Sequence, residues 1–343
     1  MNRFLLCWAF LLLAGCSETR EPSDARLRVF NWTDYIGEST ISSFEAKTGA
    51  EVTYDNYSAN EELIAKLDTG AEYDVVFPSG YAIDILISKN LLDRIDKSKV
   101  PNFANVMPEF AGPPFGRDTT YCVPYTWSVT AIGYDSRKVS DEEARTFSVL
   151  FQDKYRGKIL MLDDMRASLG MSLKRLGYSA NSTDRSQIEK AARELREQKP
   201  LVHVYASSNL PQLLASGEIT LAYAWSGDIL QAASQNKNIK ISIPDEGTIV
   251  YVDYMCIPAS ARSVRLAHRF IDHVLAPKVS LDIAATTKYA TTNVRARALA
   301  SDDLKKLWEI MAKLKKKEKC EVIQNLGPKL ELYDEAWQTI KAD

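Results

Sequence analysis

The chain has 343 residues, too many for one ordinary domain and enough for two of about 100–200 residues each. Its 45% hydrophobic and 26% charged residues match a soluble globular protein with apolar material for two cores. A net charge of -2 offers no basic face for nucleic acid, and any preference for a cation has to come from a local cluster.

The N-terminus is a transport signal. Met1-Asn2-Arg3 carries one positive charge, and Phe4 to Leu13 is apolar but shorter than the ~20 residues a bilayer span takes. Residues 1–15 therefore read as a signal peptide. Leu13-Ala14-Gly15-Cys16 has the form of a bacterial lipobox, which predicts lipid on Cys16. Residues 16–25 are polar, contain Pro22 and suit a tether. These features predict a periplasmic, membrane-anchored lipoprotein.

Short β-rich runs then alternate with amphipathic stretches. Leu27-Arg28-Val29-Phe30 reads as a strand, and Ser39–Thr48 as a helix stopped by Gly49. Glu51–Tyr54 is a strand, Asn60–Leu67 a helix, Asp74–Phe77 a buried strand and Ala82–Lys89 a helix. Such a βαβαβ series predicts a mainly parallel sheet covered on both faces. A second series runs from Lys158 to Pro244, with strands at Ile159–Leu162 and Ile219–Trp225 and helices at Ala167–Leu176 and Ser186–Gln198, the latter opened by Asp184. Tyr121–Tyr134 and Ile249–Pro258 are β-rich and read as two strands crossing between the series. The remainder is mostly helical, at Leu266–Leu275, Pro277–Ala285, Asp302–Lys317 and Lys329–Lys341. The basic run within Lys313–Lys319 reads as a solvated helix end.

The expected architecture is α/β and two-lobed: two mixed, mainly parallel sheets with a cleft between them. Residues 26–124 and 254–300 form one lobe, 125–253 the other, and 301–343 pack on both. Ligands of open α/β sheets sit beyond the carboxyl ends of the strands. Trp32, Thr33, Asp34 and Tyr35, then Ser79 and Tyr81, then Asp163 and Asp164, then Trp225 and Asp228 all fall at such ends. Tyr251 and Asp253 share one face of a crossing strand. Aromatic rings beside carboxylates suit an organic cation, each ring–ammonium contact contributing about 0.5–2 kcal/mol. A desolvated ammonium also needs charge-assisted hydrogen bonds.

Catalysis is not expected. There are three histidines, of which His268 and His273 read as solvated helix surface, and no nucleophile, phosphate-loop or metal motif is present. No metal or cofactor is predicted. Cys122 and Cys256 could pair in an oxidising compartment or remain buried thiols.

Further segments carry a resemblance: Phe30-Asn31-Trp32-Thr33-Asp34-Tyr35, Tyr73-Asp74-Val75-Val76-Phe77-Pro78-Ser79, Val123-Pro124-Tyr125-Thr126-Trp127, Leu176-Gly177-Tyr178-Ser179, Ala224-Trp225-Ser226-Gly227-Asp228 and Ile257-Pro258-Ala259. In this order they resemble the bacterial periplasmic polyamine-binding proteins, type II-like receptors of ABC importers for putrescine and spermidine. The resemblance implies a monomeric receptor whose lobes close on a polyamine and dock on an ABC permease. A membrane sensor is the alternative partner, and another organic cation the alternative ligand. It implies Trp32 and Tyr35 as one aromatic wall with Asp34 beside it, Ser79 and Tyr81 as a second loop, and Trp225 with Asp228 opposite. Asp253 takes the place of the main ammonium anchor, with Tyr251 as a neighbouring aromatic, Tyr289 as a late cleft aromatic and Gln324 as a C-terminal polar group. Where the family commonly carries a Glu for the far amine, this chain has Ala167. Asp164, Asp34 or water could substitute, and the departure favours putrescine over spermidine.

Overall fold

The computed structural model describes residues 25–342 apart from 114–115, 303, 306–307 and 310–318. The expected signal peptide, Cys16 with nearly all of its tether, most of the Lys313–Lys319 run and most of the helix expected over Asp302–Lys317 lie outside the described residues.

The first series forms as its periodicity predicts: β1 (Arg26–Trp32), α1 (Thr40–Thr48), β2 (Glu51–Tyr57), α2 (Asn60–Asp68), β3 (Val75–Val76) and α3 (Gly80–Ser88). Gly49 ends α1 with φ 69°, a left-handed value that Gly adopts without a Cβ penalty, and its N–H donates to the Glu45 carbonyl at 2.7 Å. The long β4 (Cys122–Asp135) leads into β5 (Ile159–Leu162), α4 (Met165–Arg175), α5 (Arg185–Gln198), β6 (Val202–Ala206), α6 (Leu210–Ala215), β7 (Leu221–Trp225), α7 (Ser226–Gln235) and β8 (Ile239–Ser242). Asp184 caps α5 by accepting from the amides of Ser186 and Gln187. The chain then returns through β9 (Ile249–Cys256) to α8 (Val264–Val274), α9 (Pro277–Thr287), β10 (Ala290–Thr291) and α10 (Val294–Leu299), and ends with β11 (Glu321–Val322) and α11 (Leu330–Ala342).

The strands run in the order β2-β1-β3-β9-β4-β7-β5-β6. β1 pairs in parallel with β2 and β3, and β5 in parallel with β6 and β7, whereas β9 is antiparallel to β3 and β4, and β4 is antiparallel to β7. Two mixed sheets are thus joined through the crossing pair β4 and β9. Each sheet has its own core. Phe30, Phe44, Val75, Val123, Val129, Val250 and Phe270 belong to the first. Ala131, Ile132, Leu160, Leu195, Leu221, Tyr223 and Ile249 belong to the second. The burial pattern therefore changes cores between Val129 and Ala131 on β4, whereas on β9 Ile249 and Tyr251 belong to the second core and Val250 and Val252 to the first.

A third connection between the lobes was not legible in the sequence. β11 adds to β9 in parallel, Glu321 opposite Ile249 and Val322 opposite Val250. Two residues are too few to show a strand period. Tertiary partners hold them: buried Lys174 donates to Glu321 at 2.7 Å and Asn181 donates to the Val322 carbonyl at 3.0 Å. α11 then buries Tyr333, Ala336 and Ile340 against the second core.

Cys122 and Cys256 form a disulfide between facing residues of β4 and β9, 134 residues apart in sequence. It closes a long loop and ties the two crossing strands at their first-lobe ends. Cys122→Ala/Cys256→Ala is expected to lower unfolding free energy by about 2–4 kcal/mol, read from urea unfolding. An unchanged midpoint would show that the bond adds nothing.

The histidines require a correction. His268 and His273 are buried, not solvated. The His268 Nδ1 faces the Val264 carbonyl at 2.8 Å and its Nε2 accepts from the Asp96 amide at 2.9 Å. His273 Nε2 lies 3.0 Å from the Ser43 hydroxyl, and burial pushes its pKa down. Neighbouring segments cover the polar side of α8, which helical periodicity cannot reveal.

Candidate functional site

The residues expected at strand ends converge on a cavity between the lobes. It encloses about 610 Å³, part of it open to solvent, and is lined by Trp32, Thr33, Asp34, Tyr35, Ser79, Asp164, Trp225, Asp228, Tyr251, Asp253 and Tyr289. Tyr57, Ser58, Ser128 and Ser207 also line it. The strand-end rule could have found Tyr57, the last residue of β2. Ser128 sits opposite Tyr251 in the β4–β9 register, and Ser207 follows β6, a strand that the sequence reading did not assign.

The first wall is fixed by main-chain bonds. The Trp32 indole N–H and the Tyr57 hydroxyl both donate to the Phe77 carbonyl, at 2.7 and 2.6 Å, and the two rings lie 4.5 Å apart. Asp34 has φ 54°, a left-handed value that Asp tolerates better than most residues. The chain turns there, so that Trp32 and Tyr35 both reach the cavity. The Tyr35 ring meets Tyr289 edge-on at 4.7 Å.

Asp253 is the centre of the site. It is only 7% exposed. Its Oδ2 accepts from the Tyr35 hydroxyl and its Oδ1 from the Ser79 hydroxyl, each at 2.6 Å. A carboxylate has about four lone-pair positions, so each oxygen keeps acceptor capacity toward the cavity. Burial pushes its pKa up to about 6, opposed by the Ser79 and Tyr35 hydrogen bonds.

Asp228 lies in the first turn of α7 and accepts from the Tyr289 hydroxyl at 3.3 Å. Desolvation raises its pKa to about 7, and Asp34 adds like-charge repulsion. Gly227 makes this pairing possible, because a Cβ there would stand 2.2 Å from the Tyr289 ring. Asp164 is the N-cap of α4, its Oδ1 accepting from the Ala167 amide at 2.7 Å. Desolvation raises it to about 6, partly offset by that amide. It is both a helix cap and a cavity wall.

Two expected site residues stand elsewhere. The Tyr81 hydroxyl accepts from Asn60 at 3.1 Å and donates to Glu61 at 3.3 Å. Gln324 faces a separate groove, and its carbonyl accepts from Arg166 at 2.9 Å. Both are drawn to Arg166, a fully buried guanidinium held by the Gln324 carbonyl and the Asn181 side chain, with Tyr81 at 5.7 Å and Tyr333 at 4.8 Å. A buried cation recruits carbonyls and ring faces from any segment within reach, and sequence spacing does not show which those are.

Two α/β lobes around an aromatic, carboxylate-lined cavity define a receptor for a small organic cation. The chain belongs to the bacterial extracellular solute-binding protein family, whose model matches residues 39–317. It is 33% identical over 343 residues to the spermidine/putrescine-binding periplasmic protein of Escherichia coli strain K12, covering 99% of this chain and 98% of that one. It is 29% identical to a putrescine/cadaverine-binding protein of Pseudomonas aeruginosa, covering 96% and 97% of the two chains. A solved lipoprotein of Treponema pallidum is 28% identical with a TM-score of 0.79, covering 92% of this chain and 99% of that one. The family is one of solute binding rather than catalysis.

Proposed function

We propose that this chain captures a polyamine outside the cytoplasm, putrescine in preference to spermidine, and delivers it as a monomer to the permease of an ABC importer. The observation that carries this reading is Asp253, buried on the cavity floor between two hydroxyl donors and beside aromatic rings. A bare carboxylate in that position is costly, as its raised pKa records, and an ammonium group removes the cost. The rings of Trp32, Tyr35, Trp225 and Tyr289 suit the methylenes between amines. The polyamine-binding relatives at 33% and 29% identity support the same class of ligand.

Closure is a hinge motion of lobe 26–124 with 254–300 against lobe 125–253, about the crossing strands. Ligand bridging Trp32 of the first lobe and Asp253 of the second selects the closed form. Titration calorimetry with putrescine, cadaverine, spermidine and norspermidine tests the reading. Putrescine is expected to bind most tightly. Absence of heat with all four amines would overturn it.

The lipobox ending at Cys16 supports anchoring through lipid, as does the lipoprotein nature of the Treponema pallidum relative. No described helix is long and apolar enough to cross a membrane. Cys16→Ser is expected to move the protein from the membrane to the soluble fraction on cell fractionation. Retention of the variant at the membrane would exclude this anchor.

A further inference from the structure

Ser58, Ser79, Ser128 and Ser207 all line the cavity. Ser79 donates to Asp253 at 2.6 Å, Ser207 donates to the Asp163 carbonyl at 2.9 Å, and Ser58 is exposed to solvent. Ser128 differs from the other three. It is only 2% exposed, and no hydrogen bond joins its hydroxyl to a described residue. Its Oγ remains accessible from the cavity. The threonine hydroxyls on either side of it along β4 are committed: Thr126 meets the Tyr35 hydroxyl at 2.5 Å, and Thr130 meets the Thr248 hydroxyl at 3.1 Å. Buried hydroxyls are rarely left unmet, because the group has given up bulk water.

Register sets the place of Ser128 relative to Asp253. Ser128 stands opposite Tyr251 in the β4–β9 pair, and Asp253 lies two residues further along the same face of β9. Diagonal neighbours of this kind are about 7–8 Å apart. A carboxylate, an ammonium and a hydroxyl in sequence span that distance with hydrogen bonds of about 2.7–2.9 Å. The count of donors points to the same pairing. A primary ammonium has three N–H groups to place. Tyr35 and Ser79 each take one position on an Asp253 oxygen, which leaves the carboxylate one further position per oxygen. Two N–H groups are met there, and a third needs an acceptor beside Asp253.

We propose that the Ser128 hydroxyl is that third acceptor, and that it makes the Asp253 end of the cavity specific for a terminal, primary ammonium group. This rests on the polyamine reading above and assigns a specificity-determining residue to it. Two N–H groups of the ligand go to Asp253 and one to the Ser128 Oγ. A secondary ammonium has two N–H groups, which Asp253 satisfies alone, so it gains nothing from Ser128. The internal amine of a triamine is therefore disfavoured at Asp253, and the ligand is anchored by one of its ends. The crossing strand β4 thus contributes to recognition as well as to the hinge.

The test is Ser128→Ala, titrated with putrescine and with N,N′-dimethylputrescine, which carries two N–H groups at each end. Putrescine affinity is expected to fall by about tenfold or more, as for a hydrogen bond to a charged group. Affinity for the dimethyl compound is expected to be the same in both proteins, so the preference for putrescine over it shrinks by the same factor. The ligand-free melting midpoint is expected to hold or rise, since an unmet buried hydroxyl gives way to a methyl group. Unchanged putrescine affinity would overturn the assignment and leave the polyamine reading intact, with Asp253 as sole anchor. Equal losses for both amines, or a lowered ligand-free midpoint, would give Ser128 a structural role in β4 and overturn the assignment as well. If the unsubstituted protein bound no polyamine, the polyamine reading would fall and this assignment with it.

Discussion

Asp253→Asn is expected to weaken putrescine binding by about 2–5 kcal/mol, or about thirtyfold to several thousandfold, without unfolding the protein. The carboxylate oxygens accept from Tyr35 and Ser79 at 2.6 Å each, and both retain capacity for an ammonium. An Asn amide keeps one acceptor and turns an NH₂ toward the other hydroxyl, which then accepts instead of donating. The negative charge that compensates the ligand is also lost. The ligand-free protein, by contrast, no longer buries a carboxylate whose pKa is pushed up to about 6. Its melting temperature is therefore expected to hold or rise while putrescine affinity collapses. Calorimetry and a thermal melt on the same sample separate the two effects. An affinity equal to the unsubstituted protein would remove Asp253 from the role of anchor.

The second large effect is that of pH on ligand capture. Desolvation raises Asp228 to about 7 and Asp164 and Asp253 to about 6. In the unfolded chain an Asp titrates near about 3.9. Between that value and the folded ones the native state binds more protons than the unfolded state, so ligand-free stability declines as pH rises through this window. The destabilisation from these groups is fully present above about pH 7 and absent below about pH 4. A bound dication reverses the balance by favouring the ionised forms. Putrescine affinity is then expected to fall on the order of a thousandfold between about pH 7.5 and pH 5, as two carboxyls take up protons that the ligand must displace. Titration in two buffers of different ionisation enthalpy counts the protons released, and the stabilisation that putrescine adds to the melt should be larger at alkaline than at acidic pH. Zero proton release near pH 6.5 would refute the linkage.

The two effects rest on one feature: the cavity is costly when it holds no cation. Carboxylates that sit uncomfortably in a low-dielectric cleft are what a desolvated ammonium needs, and the aromatic walls supply contact along the alkyl body without competing for its hydrogen bonds.

Sequence by itself determined the first βα series, the two crossing strands and most of the cavity. The short β-rich runs at Leu27–Phe30 and Ile159–Leu162 and the amphipathic helical spacing that follows them mark βα units. In that architecture, strand ends converge on a cleft for geometric reasons that do not depend on distant partners. Trp32, Asp34, Tyr35, Ser79, Trp225 and Asp228 follow from this rule, and Tyr251 and Asp253 from sharing a strand face. What tertiary structure alone decided is which polar group meets which. Tyr81 and Gln324 satisfy the strand-end and alignment arguments yet turn to Asn60, Glu61 and Arg166, because a buried guanidinium must be answered locally. His268 is buried because the Asp96 amide reaches it from 172 residues away. Cys122 meets Cys256 because β4 and β9 pair in that register. Local pattern fixes which face of an element is apolar, a property of the chain over a few residues. Partnership of buried polar atoms depends on which segments arrive at the same place, and no stretch of sequence carries that information by itself.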